Sequence, residues 1–282
     1  MSSSTPLFGG SDRDWPAFEP VNDTIRGGAS SSSWKVDPTT NIGNFSGNLD
    51  ITALGGAGFA SQSATFEPPL RLGKRSRTAG LFITFLASSP SLARSPSVRP
   101  KSQPRQPHKL VLALKEEKPL RRPDGRRESV TVYQYTIDLD DYSEELTLTF
   151  GEDEEKRGFG DEMEKEGKAR TAVTVLAKWD QFRPTYRGRP KEDADPLDPG
   201  QIYELSFMCR SNFGEQAGPF SFDVVSLAIA PRCASSSGGF RRWFRNIVEA
   251  VRNSLARVWR SLAAFITSGR GGRGGDGAVR LP

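Results

Sequence analysis

Histidine occurs once in the 282 residues, as His108, and cysteine twice, as Cys209 and Cys233. Sites that need two histidines are thereby excluded, and two thiols without a C-x-x-C spacing form neither a four-thiolate zinc site nor a disulfide framework. No metal and no cofactor is expected, and the thiol content fits a reducing compartment. His108 lies in the Pro/Gln/Arg-rich stretch QPRQPHK, which carries no triad or ligand pattern, and reads as a solvated loop residue. No apolar run reaches the ~18 residues that a spanning helix requires. The first ten residues, MSSSTPLFGG, hold no lysine or arginine, so neither a secretory signal nor a mitochondrial presequence is visible. Carboxylates are plentiful, but none stands at a telling spacing from a second catalytic group, and no enzyme is expected.

What the chain has in quantity is turn formers, 28 glycines and 20 prolines, with 35% hydrophobic residues and a net charge of +5. Glycine and proline punctuate regular structure, which favours many short strands over a helical bundle. From Trp34 to Ile229 apolar residues recur in short runs, often with period two. Phe45, Leu49 and Ile51 share one face of FSGNLDI. Tyr133, Tyr135 and Ile137 share a face opposite Val130 and Val132, and Leu146, Leu148 and Phe150 alternate in ELTLTF. Further strands are expected at 57–66, 81–86, 109–114, 171–177, 202–208 and 220–229. The last begins with Phe220, Phe222 and Val224 inward and continues with Val225, Leu227 and Ile229, a change of phase that predicts a bulge near Val224. Strands without crossover helices between them predict an all-β, two-sheet sandwich over residues 14–232.

Two insertions are expected as mobile loops. Residues 87–109 hold five prolines and no acidic residue, and residues 151–166, GEDEEKRGFGDEMEKE, carry eight acidic residues against three basic ones. Residues 1–13 are expected to be flexible. After the SSSGG joint, residues 240–268 turn to helical periodicity. Phe240, Phe244, Ile247, Val251, Leu255, Val258, Leu262 and Ile266 form a stripe that Trp243 and Trp259 widen, and Arg241, Arg242, Arg245, Arg252, Arg257 and Arg260 flank it with Glu249 as the one acid. Residues 233–268 thus read as a linker and a basic amphipathic helix able to lie on an anionic membrane, with Trp243, Phe244, Arg245, Arg252, Trp259 and Arg260 as the contacting residues. A flexible Gly/Arg tail, 269–282, follows. Its GRGGRGG is too short to argue for RNA, and nucleic acid is not expected as a partner.

Five segments carry a more specific signal: NDTIRGGASSSSW (22–34), FSGNLDITALGGAGFASQ (45–62), RRPDGRRESVTVYQY (121–135), WDQFRPTYRGR (179–189) and FMCRSNFGEQAGPFSFDVVSLAIA (207–230). In this order they resemble the fungal type of the complex I intermediate-associated protein 30 family, over residues 14–232. The resemblance implies a galactose-binding-like jelly-roll sandwich and a non-catalytic factor for assembly of mitochondrial NADH:ubiquinone oxidoreductase. Its partners would be complex I subunits, assembly intermediates and other assembly factors, and its place the mitochondrion, with the cytosol or a membrane surface as the alternative. About twenty Ser/Pro/Arg-rich residues stand where the family joins two strands by a short turn.

Within these motifs Gly27, Gly28, Gly55, Gly56 and Gly58 are expected at left-handed or closely approached backbone positions, since no Lys-Ser/Thr completes a phosphate loop. Trp34, Trp179, Phe207 and Phe222 are expected in the core. Ser30–Ser33 with Asn22 and Asp23 read as a turn whose side chains bond backbone. Arg26, Arg187, Arg189 and Arg210 sit at turns or strand ends, where each is either paired structurally, with Asp23 or Glu215 as partners, or free to bind a carboxylate on another molecule. With Tyr186 and Asn212 they make up the candidate partner-binding set. A carbohydrate-binding module and a peripheral membrane adaptor are the competing functions, and fold alone confers neither.

Overall fold

The computed structural model describes residues 5–10, 13–86, 104–118, 120, 123, 128–139, 148–150 and 170–232. Among these residues the strands are β1 (Thr5–Gly9), β2 (Glu19–Pro20), β3 (Ser31–Val36), β4 (Gly43–Leu49), β5 (Phe59–Leu70), β6 (Thr78–Leu86), β7 (Lys109–Lys115), β8 (Val132–Asp138), β9 (Leu148–Phe150), β10 (Arg170–Lys178), β11 (Arg183–Tyr186), β12 (Arg189–Pro190), β13 (Ile202–Arg210) and β14 (Gly218–Pro231). They form two antiparallel sheets. The first runs β3-β4-β14-β6-β10-β9, with β1 also on β14, and the second runs β12-β11-β8-β7-β13-β5-β2.

The inner faces meet as alternation predicts. Phe45, Ile83, Phe85, Val175, Phe222 and Leu227 of the first sheet pack with Leu110, Leu112, Leu114, Tyr135, Ile137, Leu205 and Phe207 of the second. Phe207 is the cross-sheet centre: its ring lies 6.5 Å from that of Phe45 and stacks on Trp34 at 5.4 Å and 10°. Each such fully buried ring contributes roughly 1.5–3 kcal/mol. Trp179 and Phe222 are buried too, while Trp34 is half-buried against the core.

Tyr133, Tyr135 and Ile137 are buried and Val130 and Val132 half-buried, so the expected phase of β8 holds. The register of β14 against β6 shifts between Val224 and Ser226, the bulge expected from its pattern. It has a topological use. Residues of β14 up to Val224 pair with β4, and beyond the bulge β1 takes that side, from Ser226 to Ile229.

Several expectations are corrected. Residues 5–9, expected to be flexible, form β1, because the second half of β14 offers an unpaired edge there. Ser31–Ser33 belong to strand β3 instead of a turn, since β4 supplies a ladder and Trp34 anchors it over the core. The insertion proposed at 87–109 is shorter at its C-terminal end: Arg105 forms a parallel bridge with Gln216, and Lys109 opens β7. His108 is 1% exposed, not solvated, because the loop around Gln216 closes over it. Of ELTLTF only Leu148–Phe150 is described as strand. Residues 151–166 and everything after Arg232, including Trp243, Phe244, Arg245, Arg252, Trp259 and Arg260, lie outside the described residues.

Candidate functional site

Two ends of the sandwich hold the candidate residues. At the first, Asn22 precedes a 3-10 turn, Asp23–Arg26, which Gly27 closes at φ 82°. Asp23 is 1% exposed. Its carboxylate accepts the Ser30 amide at 3.0 Å, the Ser30 hydroxyl at 2.7 Å and the Phe59 amide at 3.0 Å. Gly28 is required because a Cβ there would stand 2.2 Å from the Asp23 carboxyl carbon, and Gly58 because one would stand 2.2 Å from the Asp50 carbonyl oxygen. Gly28 and Gly58 thus serve close backbone approach around one buried carboxylate, and among the described residues Asp23 is committed to backbone amides and a hydroxyl instead of to an arginine.

The neighbouring loop, 211–217, is fastened at several points. The Ser211 hydroxyl donates to the Gly56 carbonyl at 2.8 Å and accepts the Gly58 amide at 3.0 Å. Gln216 is fully buried. Its Oε1 accepts the amides of His108 and Lys109, both at 3.0 Å, and its Nε2 donates to the carbonyls of Lys109 at 3.0 Å and Arg210 at 2.7 Å. Between these fastenings three successive residues are left-handed: Asn212 at φ 48°, Phe213 at φ 60° and Gly214 at φ 89°. Phe213 is 90% exposed, and Ile25 on the adjacent turn is 65% exposed. A left-handed phenylalanine is strained, and here the strain is held by the surrounding polar fastenings while the ring itself stands in solvent.

Arg26 is exposed on the 3-10 turn and Asn212 is half-buried in the 211–217 loop. Among the described residues Glu215 pairs with a lysine, not an arginine. It takes Lys109 at 2.7 Å, and that hydrogen bond holds its carboxyl below the usual range. Arg210, at the end of β13, points to the outer face of the second sheet and reaches across β7 to donate from Nη1 to Gln134 Oε1 on β8 at 3.0 Å. Its Nε is buried with no hydrogen-bond partner among the described residues, and burial pushes the guanidinium pKa down.

At the second end Tyr186 and Arg189 pair across the β11–β12 hairpin. Its two turn residues, Arg187 at φ 51° and Gly188 at φ 78°, both have the positive φ that matches a two-residue turn to strand twist. Arg187 lies 5.4 Å over the Tyr186 ring and donates from Nε to Ser129 Oγ at 3.3 Å, and Arg189 is exposed. Beside them Glu204, with a side chain 2% exposed, is neutralised by Lys115 at 2.6 Å and accepts the Ser63 hydroxyl at 3.0 Å. Strand β8 runs from this end to Asp138, which faces Lys109, so the two ends stand about 20 Å apart at 3.3 Å per residue. The structure therefore groups Arg26, Arg210 and Asn212 at one end and Tyr186, Arg187 and Arg189 at the other. A shallow depression on the first sheet, lined by Lys35, Asp37, Asn44 and Asp223, holds none of them.

Sequence reasoning missed Phe213 and Gln216. The Asn-Phe-Gly of SNFGE is a left-handed turn signal, but an exposed phenylalanine reads like a core one until the backbone is known.

The family model for complex I intermediate-associated protein 30 matches residues 8–80 and 127–224, which contain all six candidates. The uncharacterized protein C9E9.15 of Schizosaccharomyces pombe is 28% identical over 218 residues, covering 76% of this chain and 78% of that protein.

Proposed function

Because the chain belongs to the complex I intermediate-associated protein 30 family, we propose that it is a non-catalytic, chaperone-like assembly factor for mitochondrial NADH:ubiquinone oxidoreductase. The two-sheet body is read as the jelly-roll type of that family. Subunits or assembly intermediates dock on the first end, which carries Arg26, Asn212, Ile25 and Phe213. The carrying observation is Phe213 itself, almost fully exposed at φ 60° on a loop whose buried polar groups are all engaged. Such preorganisation lowers the entropy cost of docking, and a central aromatic anchor is worth ~2 kcal/mol or more at an interface. Residues 240–268 supply contact with an anionic membrane, supported by their apolar stripe and six arginines.

The test joins genetics with capture. A deletion strain should show less assembled complex I on native gels during respiratory growth, with no metabolite conversion missing. Phe213→Gly should reduce recovery of complex I subunits with tagged protein by roughly tenfold or more while the variant melts no lower than the parent. Normal complex I in the deletion strain rejects the assembly reading, and undiminished recovery with Phe213→Gly rejects this end as the docking surface.

A further inference from the structure

The sandwich hands the chain over to residue 233 at its second end, beside a loop in which four of seven residues are cations. Pro231 of β14 pairs with Thr78 of β6, the Arg232 amide donates to the Arg77 carbonyl at 2.9 Å, and Arg232 Nη1 donates to the Arg75 carbonyl at 2.7 Å. The loop 71–77, RLGKRSR, holds Arg71, Lys74, Arg75 and Arg77 and no acidic residue. Its backbone is fixed: the Arg77 and Thr78 amides both donate to the Lys74 carbonyl, and the Leu72 amide donates to Pro199. Arg71, Lys74 and Arg77 are exposed, as is Lys178, which faces Gly80 across the ladder. Arg75 spends Nη1 on the Leu197 carbonyl at 3.2 Å. Among the described residues none of these five side chains stands in an ion pair. The acids at this end are Asp180, two residues past Lys178, Glu192, Asp193, Asp195 and Asp198 on the loop that carries Leu197, and Glu116 and Glu117, of which Glu116 accepts the Asp198 amide.

Unpaired like charges gathered on one rigid loop repel one another, and an anionic plane relieves them all at once. The chain itself indicates which plane. Only seven residues, 233–239, separate Arg232 from the arginine-rich segment 240–268, a reach of about 25 Å at full extension. A membrane that holds that segment also holds the loop close to its surface, within the range where each cation is worth about a fivefold change in affinity. We propose that Arg71, Lys74, Arg77 and Lys178 form a second anionic-lipid contact that seats this end of the sandwich on the membrane and turns the Phe213 end away from it, toward the partner. The proposal rests on the reading of residues 240–268 as a membrane contact.

Vesicle co-sedimentation of the full chain tests it, with vesicles of phosphatidylcholine alone and of phosphatidylcholine containing cardiolipin. The variant R71Q/K74Q/R77Q, whose altered side chains make no hydrogen bond among the described residues, should bind cardiolipin vesicles roughly a hundredfold more weakly at low salt with the melting temperature of the parent. K74E alone should lose at least the fivefold of one cation, which keeps the test open if the triple variant folds poorly. K35Q, on the far edge of the first sheet, should bind like the parent. Parent-like binding by both loop variants, with binding lost in W243S/W259S, overturns the loop contact while leaving 240–268 as the anchor. No binding by the parent to cardiolipin vesicles overturns both. Equal affinity for single-stranded RNA and for cardiolipin vesicles, matched in phosphate, overturns lipid as the ligand.

Discussion

The two ends of the sandwich are built by opposite means. The first is held by buried polar groups, with Asp23, Ser211 and Gln216 engaging backbone from four loops, and the large apolar side chains it exposes are an isoleucine and a phenylalanine. The second is held by a tight hairpin and the buried ion pair Glu204–Lys115, and the charges exposed on its loop 71–77 are all cationic. A buried polar network fixes backbone against strain, which lets the first end display an aromatic in a conformation phenylalanine avoids. A charged display needs no such rigidity, because Coulombic attraction to a surface is tolerant of angle.

Substitutions at the two ends should therefore separate widely. Lys115→Ala leaves the Glu204 carboxylate buried without its cation and should cost roughly 3–5 kcal/mol. Asp23→Ala orphans three donors and should cost about 3 kcal/mol or more. Both are read by denaturant unfolding, and a loss under about 1 kcal/mol for Asp23→Ala would mean that the first end is not held as described. Arg187→Ala, on the exposed hairpin, should stay within about 0.5 kcal/mol of the parent.

Smaller effects sharpen the contrast. Phe213→Gly removes left-handed strain and should raise stability by up to about 1 kcal/mol, so a lower melting temperature would show that the phenyl ring packs on the fold. Arg210→Met exchanges a desolvated guanidinium, with one neutral hydrogen bond, for an apolar chain of similar length. It should be neutral or stabilising within about 1 kcal/mol, and a larger loss would assign Arg210 to the architecture.

Titration offers the finest comparison. Burial raises the Glu116 carboxyl pKa at the second end, and burial next to Glu116 and Asp195 pushes the Tyr133 phenol up to about 12. An acid whose folded pKa is raised binds its proton more tightly in the folded state, so it favours folding at low pH and opposes it once the pH rises through that pKa. Glu116→Gln keeps an acceptor for the Asp198 amide and should be more stable than the parent at neutral pH, by less than about 1 kcal/mol after solvent screening, with the gap closing in acid. Glu215 at the first end has the opposite sign. Its lowered pKa contributes above the usual carboxylate value and is lost as the pH falls through the folded one, so Glu215→Gln should cost under about 1 kcal/mol at neutral pH and nothing in strong acid. Parallel pH profiles for the two variants would contradict the assignment.

By itself the sequence determined the all-β class, the phase of β8, the bulge in β14 and the close-approach glycines, because each follows from a spacing of two or from a residue that only one backbone geometry accepts, and its five motif segments carried the family. Tertiary structure decided the rest. It made Ser31–Ser33 a strand, since the neighbouring ladder outweighs the turn preference of serine. It drew Thr5–Gly9 onto an edge created by a bulge more than two hundred residues away, buried His108 under Gln216, and committed Asp23 and Glu215 to an amide-and-hydroxyl nest and a lysine. It also divided the six candidates between two ends and put Phe213 into solvent. Local pattern reports which face of a strand is apolar; which loops share an end, and which polar groups find one another there, depends on strand order and register, which no window of sequence contains.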